Sequence, residues 1–156
     1  MTSIQNISQS EIRTSFSIVM PTHNEERDIG ITLQSLSSLE YSNFDVLVVD
    51  DSSDSTPEIV KTFVDERFRY VRQTRGVGRS AARNQGILVA KGDVIVILNA
   101  DVHLPADFLV SLDKHYQQGA DYVLVESQVT NVEMLFPRYI QSQHRLYYGP
   151  DTKVNM

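Results

Sequence analysis

From Phe16 to Val129, short apolar runs alternate with segments in which apolar residues recur every three or four positions. Short runs rich in β-branched residues read as strands, and the longer periodic segments read as amphipathic helices. The order they predict is β-α-β-α-β-α-β-α-β. Strands are expected at Phe16–Met20, stopped by Pro21, and at Asp45–Val49, Arg69–Gln73, Val94–Leu98 and Tyr122–Val129. The first helix is expected over Asp28–Leu39, with Ile29, Leu33 and Leu36 on one stripe. Thr56 and Pro57 supply an N-cap and a first-turn proline for the second, whose apolar face is Val60, Phe63 and Val64. Ser80–Ala90 is the third helix, and Pro105–Gln118, with Phe108, Leu112 and Tyr116 spaced by four, is the fourth.

Strands separated by helices of this length must be mostly parallel, because a crossover helix is the usual link between parallel neighbours, and such sheets are covered on both faces. The fold class is therefore α/β, a doubly wound, mostly parallel sheet. Its ligands are expected outside the carboxyl ends of the strands. Those ends lead into the segments after Met20, Val49, Gln73 and Leu98, so the four segments should meet. Residues 1–15, rich in Ser, Thr, Gln and Asn, read as a flexible lead-in, residues 16–130 as the α/β domain, and residues 131–156 as the start of a further region.

Composition narrows the field. A length of 156 residues fits one domain. The longest uninterrupted aliphatic run, Val94–Leu98, has five residues, against roughly 20 for a spanning helix. With no cysteine there is no disulfide, thiol nucleophile or cysteine zinc site, which fits a cytoplasmic protein. A formal charge of −6 argues against nucleic acid as a partner. Even so, six arginines and no acid lie between Arg67 and Arg83. Arg67, Arg69 and Arg72 read as a solvated strand face, whereas Arg75 and Arg79 flank glycines and point to a ligand.

The four segments read Pro21-Thr22-His23-Asn24-Glu25-Glu26, Asp50-Asp51-Ser52-Ser53-Asp54, Thr74-Arg75-Gly76-Val77-Gly78-Arg79 and Asn99-Ala100-Asp101-Val102-His103. Carboxylates from three loops and arginines from the other suit a divalent cation together with a diphosphate. Carboxylate oxygen is the natural ligand of Mg²⁺ or Mn²⁺, while guanidinium and glycine-loop N–H groups suit phosphate. Asp54 is more simply a turn or helix-start residue and His23 an ordinary surface or packed histidine, while His103, two residues after Asp101, is within reach of the same metal but is not taken as a ligand. Gly76-Val77-Gly78-Arg79-Ser80-Ala81 satisfies a dinucleotide-binding pattern, but in the third strand–helix unit. That fingerprint belongs to the first unit, and a dinucleotide-binding protein is the minor alternative.

Taken in order, Ser17–Glu26, Val48–Thr56, Gly78–Gly86, then Gly92-Asp93, Asn99-Ala100-Asp101 and Leu104-Pro105 resemble the family 2 inverting glycosyltransferases, nucleotide-diphospho-sugar transferases of GT-A fold. The resemblance implies transfer of a sugar from a nucleotide-diphosphate donor, UDP by family frequency, to a hydroxyl of a glycan, lipid or other acceptor, with inversion. It implies that Pro21, Thr22 and Glu25 border the base and ribose and that Asp51 hydrogen-bonds the pyrimidine N–H. Asp50, Gly78, Arg79, Asn99 and Ala100 complete the expected substrate contacts, and Asp101 is the expected ligand of Mn²⁺ or Mg²⁺. Asn99 stands where the family's Asp-x-Asp motif has its first Asp. It keeps an acceptor but loses a charge, which lowers the expected metal affinity. No general base is identifiable, since the only acids after the fifth predicted strand, Glu133 and Asp151, sit in no recognisable motif. Truncation of an acceptor-binding half is therefore expected, in a full-length protein associated with the inner face of the membrane. A non-catalytic nucleotide-sugar-binding module is the alternative.

Overall fold

The computed structural model describes residues 14–74 and 76–125. Among the described residues, eight elements follow one another: β1 (Phe16–Thr22), α1 (Ile29–Ser37), β2 (Phe44–Asp50), α2 (Thr56–Lys61), β3 (Phe68–Arg72), α3 (Gly78–Val89), β4 (Val94–Ile97) and α4 (Phe108–Gln117). The four strands form one sheet in the order β3-β2-β1-β4, every pair parallel. Thr22 lies opposite Asp50 and Asp50 opposite Arg72, so β1, β2 and β3 end level and release their loops at one rim.

Strand periodicity divides the apolar residues between two faces. Phe16, Ile18 and Met20 of β1, with Phe44, Val46 and Val48 of β2, share one cluster with Ile29, Leu33 and Leu36 of α1, Val60 of α2 and Leu109 of α4. The alternate residues Val19, Leu47 and Val49 are just as buried and turn to the other face, where α3 packs. Each fully buried aliphatic contributes about 1.5–3 kcal/mol. Gly86 allows that close approach, because a Cβ there would stand 2.3 Å from Val19 Cγ1. Helices on both faces make the domain doubly wound, as the alternation predicts.

Several boundaries differ from expectation for local reasons. Pro21 does not stop β1. Val19 O accepts from Leu98 N at 3.0 Å, so alternate residues of β1 present their backbone to β4. Pro21 faces that side one step beyond the last pair, Val19 with Ile97, where a missing N–H forfeits no ladder bond. The N-cap of α2 is Ser55, not Thr56. The helix ends at Lys61, before Phe63 and Val64, and Asp65 Oδ1 then accepts from the N–H groups of Arg67 and Phe68 at 2.7 and 2.8 Å, turning the chain into β3. α4 starts at Phe108, three residues after Pro105.

Within the expected lead-in, Thr14 is buried and hydrogen-bonded to Asp113, and Ser15 O accepts from Val94 N at 3.1 Å. The expected fifth strand is absent over Tyr122–Val125, and its remainder, with the region 131–156, lies outside the described residues. The chain divides into two compact units, Met1–Asp121 and Tyr122–Met156.

Candidate functional site

The loop after β1 and the loop after β2 are stitched together. Asn24 N donates to Ser52 Oγ at 2.8 Å, and Ser53 N donates to Asn24 Oδ1 at 2.8 Å. Glu25 N donates to Thr56 Oγ1 at 2.9 Å, Glu26 N to Asp54 Oδ2 at 3.2 Å, and Ser55 N to Glu26 Oε2 at 3.1 Å. Asn24 takes a φ of 57° to do this, a left-handed conformation that asparagine tolerates better than most residues. Asp54 also accepts from Thr56 N at 3.0 Å, the helix-start role its position suggested.

Asp50 is the anchor beneath this lattice. It is fully buried, and its Oδ1 accepts from Thr22 Oγ1 at 2.9 Å, from Ser52 N at 3.1 Å and from Ser52 Oγ. Its Oδ2 accepts from Tyr70 Oη at 2.9 Å and pairs with Arg72 Nη1 at 2.6 Å. Burial pushes the carboxyl up, but the Ser52, Thr22 and Tyr70 hydroxyls and the Ser52 N–H outweigh it, and the pKa falls below the ordinary value. Arg72 is thus an internal partner, as is Arg69, paired with Asp45 at 2.6 Å, and Arg67 lies over the rings of Phe44 and Phe68 at 5.1 and 5.8 Å. Those three are not a merely solvated strip. Their Arg72 end borders a shallow hollow of about 480 Å³ beside α2, flanked by Lys61 and Tyr70.

The cavity over the predicted rim is a different one. It holds about 300 Å³ and is lined by Pro21, Thr22, His23, Glu25, Asp51, Gln73, Gly76, Gly78, Arg79 and Ala82. Gly76 and Gly78 take φ values of 80° and 83°, which turn the chain from β3 into α3 with no side chain filling the space. Asp51 is buried, and its Oδ1 lies 2.7 Å from His23 Nδ1. Glu25 is pushed up by burial and then by the neighbouring carboxylates of Asp101 and Asp28, with Arg79 opposing. Asp101, after β4, and Arg79, in the first turn of α3, therefore both act on Glu25, in opposite senses.

Of the predicted contacts, Pro21, Thr22, Glu25, Asp51, Gly78 and Arg79 meet in this cavity. Asp50 supports them from below with both oxygens engaged. Asn99 and Ala100 do not line it: Asn99 Oδ1 takes a long 3.5 Å contact from Arg83 Nη2, and Ala100 is buried with its carbonyl accepting from Thr32 Oγ1 at 2.7 Å. Asp101 is exposed and does not line the cavity either, though its charge raises the pKa of Glu25 in the wall. Four lining residues, His23, Gln73, Gly76 and Ala82, were not among the expected site residues, and His23 and Gln73 are the polar pair among them. Ladder register is the signal that finds them. The next step beyond the pairs Thr22–Asp50 and Asp50–Arg72 is the row His23, Asp51, Gln73.

Among the described residues, no group of three or more His, Asp or Glu side chains could hold a metal. An Mg²⁺ or Mn²⁺ bound through one carboxylate and the oxygens of a substrate diphosphate needs no such cage. Asp101 fits that mode, being exposed, with Glu25 close enough that the Asp101 charge adds to the burial that raises the Glu25 pKa.

Residues 17–154 match the family model described as Glycosyl transferase family 2. The amylovoran biosynthesis glycosyltransferase AmsB of Erwinia amylovora is 33% identical over 128 residues, covering 76% of this chain and 42% of the relative. The Escherichia coli UDP-Glc:alpha-D-GlcNAc-diphosphoundecaprenol beta-1,3-glucosyltransferase WfgD is 36% identical over 86 residues, 54% of this chain and 34% of the relative. The mannosyltransferase PcManGT of Pyrobaculum calidifontis, solved with GDP-Man and Mn²⁺, superposes with a TM-score of 0.60 at 30% identity, over 64% of this chain and 31% of that one. The chain spans less than half the length of these curated relatives.

Proposed function

The chain belongs to glycosyl transferase family 2, and from that premise we propose that residues 16–121 form the donor-binding part of a sugar transferase that uses a nucleotide-diphosphate sugar. One observation carries the reading: Asp51 and Arg79 line a single cavity, and Glu25 in its wall feels the charge of Asp101. Asp51 offers a buried acceptor to a base N–H. Arg79 and the Gly76–Gly78 turn offer cationic and N–H donors to a diphosphate. A bound Mn²⁺ or Mg²⁺ would be held by Asp101 and would supply charge neutralisation as the nucleoside diphosphate departs.

The reaction proposed is a single displacement at the anomeric carbon with inversion, an acceptor hydroxyl attacking as a general base takes its proton. That base is assigned to none of the described residues. Of the acids named from sequence, Glu133 and Asp151 lie outside them. UDP is the donor nucleotide we favour, in keeping with the name of WfgD, and a glycan or lipid-linked hydroxyl is the acceptor class. Action in the cytoplasm, at the inner face of the membrane, belongs to the same proposal. No helix among the described residues is long and apolar enough to cross a membrane.

A ligand that binds only the folded state raises its melting temperature. UDP is expected to do so with Mn²⁺ or Mg²⁺ present and to do much less without, and Asp101→Ala is expected to remove most of the metal-dependent part. An equal melting shift in the variant, read by thermal scanning, would count against the site. NAD binding unaffected by Asp101→Ala would favour a dinucleotide instead.

A further inference from the structure

Arg83 is half-buried and carries a charge that the described residues do not balance. Earlier in the cationic strip, Arg69 and Arg72 each hold a carboxylate at 2.6 Å, and Arg67 lies over two rings. Arg83 joins none of the ion pairs among the described residues. Its Nε is buried with no hydrogen-bond partner, and its Nη2 makes a long contact, 3.5 Å, with the neutral Oδ1 of Asn99. A partly desolvated guanidinium that faces an amide keeps most of its desolvation cost, which a carboxylate in the same place would offset. Nε is closed off, but the contact between Nη2 and Asn99 is exposed, so the Nη groups are the side that a ligand can reach.

That side lies where the far end of a donor would come. Arg83 stands one turn after Arg79 on α3, so the two share a side of the helix. Asn99 is exposed, Ala100 buried and Asp101 exposed again, which sets Asn99 on the same side as the carboxylate that would hold the metal. In the sheet order β3-β2-β1-β4, Asp51 follows β2 and Asp101 follows β4. A donor with its base on Asp51 and its diphosphate at Arg79 and Asp101 therefore runs across the rim towards β4. Its sugar, attached beyond the diphosphate, reaches the end where Arg83 meets Asn99.

We propose that the sugar carried by the donor is a uronic acid, whose carboxylate is taken by the Nη groups of Arg83 beside Asn99. The inference rests on the donor-site reading and adds the class of sugar. A guanidinium presents parallel N–H groups that match the two oxygens of a carboxylate, and the Asn99 amide adds a donor of its own. A hydroxyl of a neutral hexose could accept one of those bonds but would leave the cation unbalanced. An aspartate at position 99 would pair with Arg83 internally and repel a sugar carboxylate, so the neutral Asn99 is what keeps the guanidinium open to substrate.

The test is calorimetric titration of the 156-residue chain in the presence of Mn²⁺ with UDP and with two matched pairs, UDP-glucuronate against UDP-glucose and UDP-galacturonate against UDP-galactose. Wild type, Arg83→Met, Arg83→Lys and Asn99→Asp are compared. Members of a pair differ only at C6, a carboxylate in one and a hydroxymethyl in the other, so their affinity ratio cancels any general change in donor binding. Wild type should favour at least one uronate over its parent hexose by about tenfold or more, the order expected of hydrogen bonds to a charged group. Asn99→Asp and Arg83→Met should each bring that ratio to about one or below, while Arg83→Lys, with the charge but not the fork, should keep part of it. Should Arg83→Met fail to fold, Asn99→Asp, a change at an exposed position, decides. UDP binding with no uronate preference in either pair, a preference for the neutral sugars, or a uronate preference that survives Asn99→Asp would each overturn the inference while leaving the donor site intact. Folded wild type that binds none of the five ligands would instead remove the donor-site reading, and this inference with it.

Discussion

Asp50 and Glu25 stand at the same rim and respond to their surroundings in opposite senses. Asp50 has a lowered pKa, so the stability it contributes is present above the ordinary carboxylate range and is lost as pH falls through its lower folded value. Glu25 has a raised pKa, so its contribution is full below the ordinary value and is lost as pH rises through the folded one. Urea unfolding across the acid-to-neutral range should separate the two. Near neutral pH, Asp50→Asn should cost about 2–4 kcal/mol, because it removes the charge that pairs Arg72 and accepts three hydroxyls. Glu25→Gln should leave the ligand-free protein at least as stable as wild type, and its gap should close as pH falls. A stabilising Asp50→Asn would mean that its bonds are not the anchor described. At this scale Asp51 and Arg79 were legible because each sits in a motif whose chemistry is explicit. His23 and Gln73 were not, because His23 read as an ordinary histidine and Gln73 as the last residue of a strand, and only the strand register sets them on either side of Asp51.

Elements were legible wherever one face decided the pattern, as in α1, whose Ile29, Leu33 and Leu36 are all fully buried. They were misread where a neighbour decided. Pro21 continues β1 because the ladder beside it has already ended, a fact of pairing and not of the residue. Asp65 turns the chain into β3 by accepting two N–H groups, a role that its local sequence does not distinguish from an ordinary surface acid. The packing of α3 on β1 makes a sharp prediction. Gly86→Ala would gain helix propensity of up to about 1 kcal/mol in isolation, yet its Cβ would fall 2.3 Å from Val19 Cγ1. Overpacking of that kind should dominate and destabilise the fold by about 1–3 kcal/mol. A denaturation midpoint at or above wild type would show that α3 stands off the sheet.

At the scale of the molecule, placing β1 between β2 and β4 is what brings three crossover loops and the β3–α3 turn to one rim. Hydrophobic alternation predicted parallel strands with helices on both faces, and hence that convergence. It did not predict which carboxylates would face the cavity and which would brace it, since Asp50 and Asp51 are adjacent and separate only by pointing to opposite faces of the strand end. The central claim is that Asp51, Arg79 and Asp101 address one ligand, and the most direct test is a crystal structure of the chain with UDP and Mn²⁺. The account predicts the uracil against Asp51, the diphosphate beside Arg79 and the metal on Asp101. A nucleotide seated instead in the hollow flanked by Lys61, Tyr70 and Arg72, or a metal with no contact to Asp101, would contradict it.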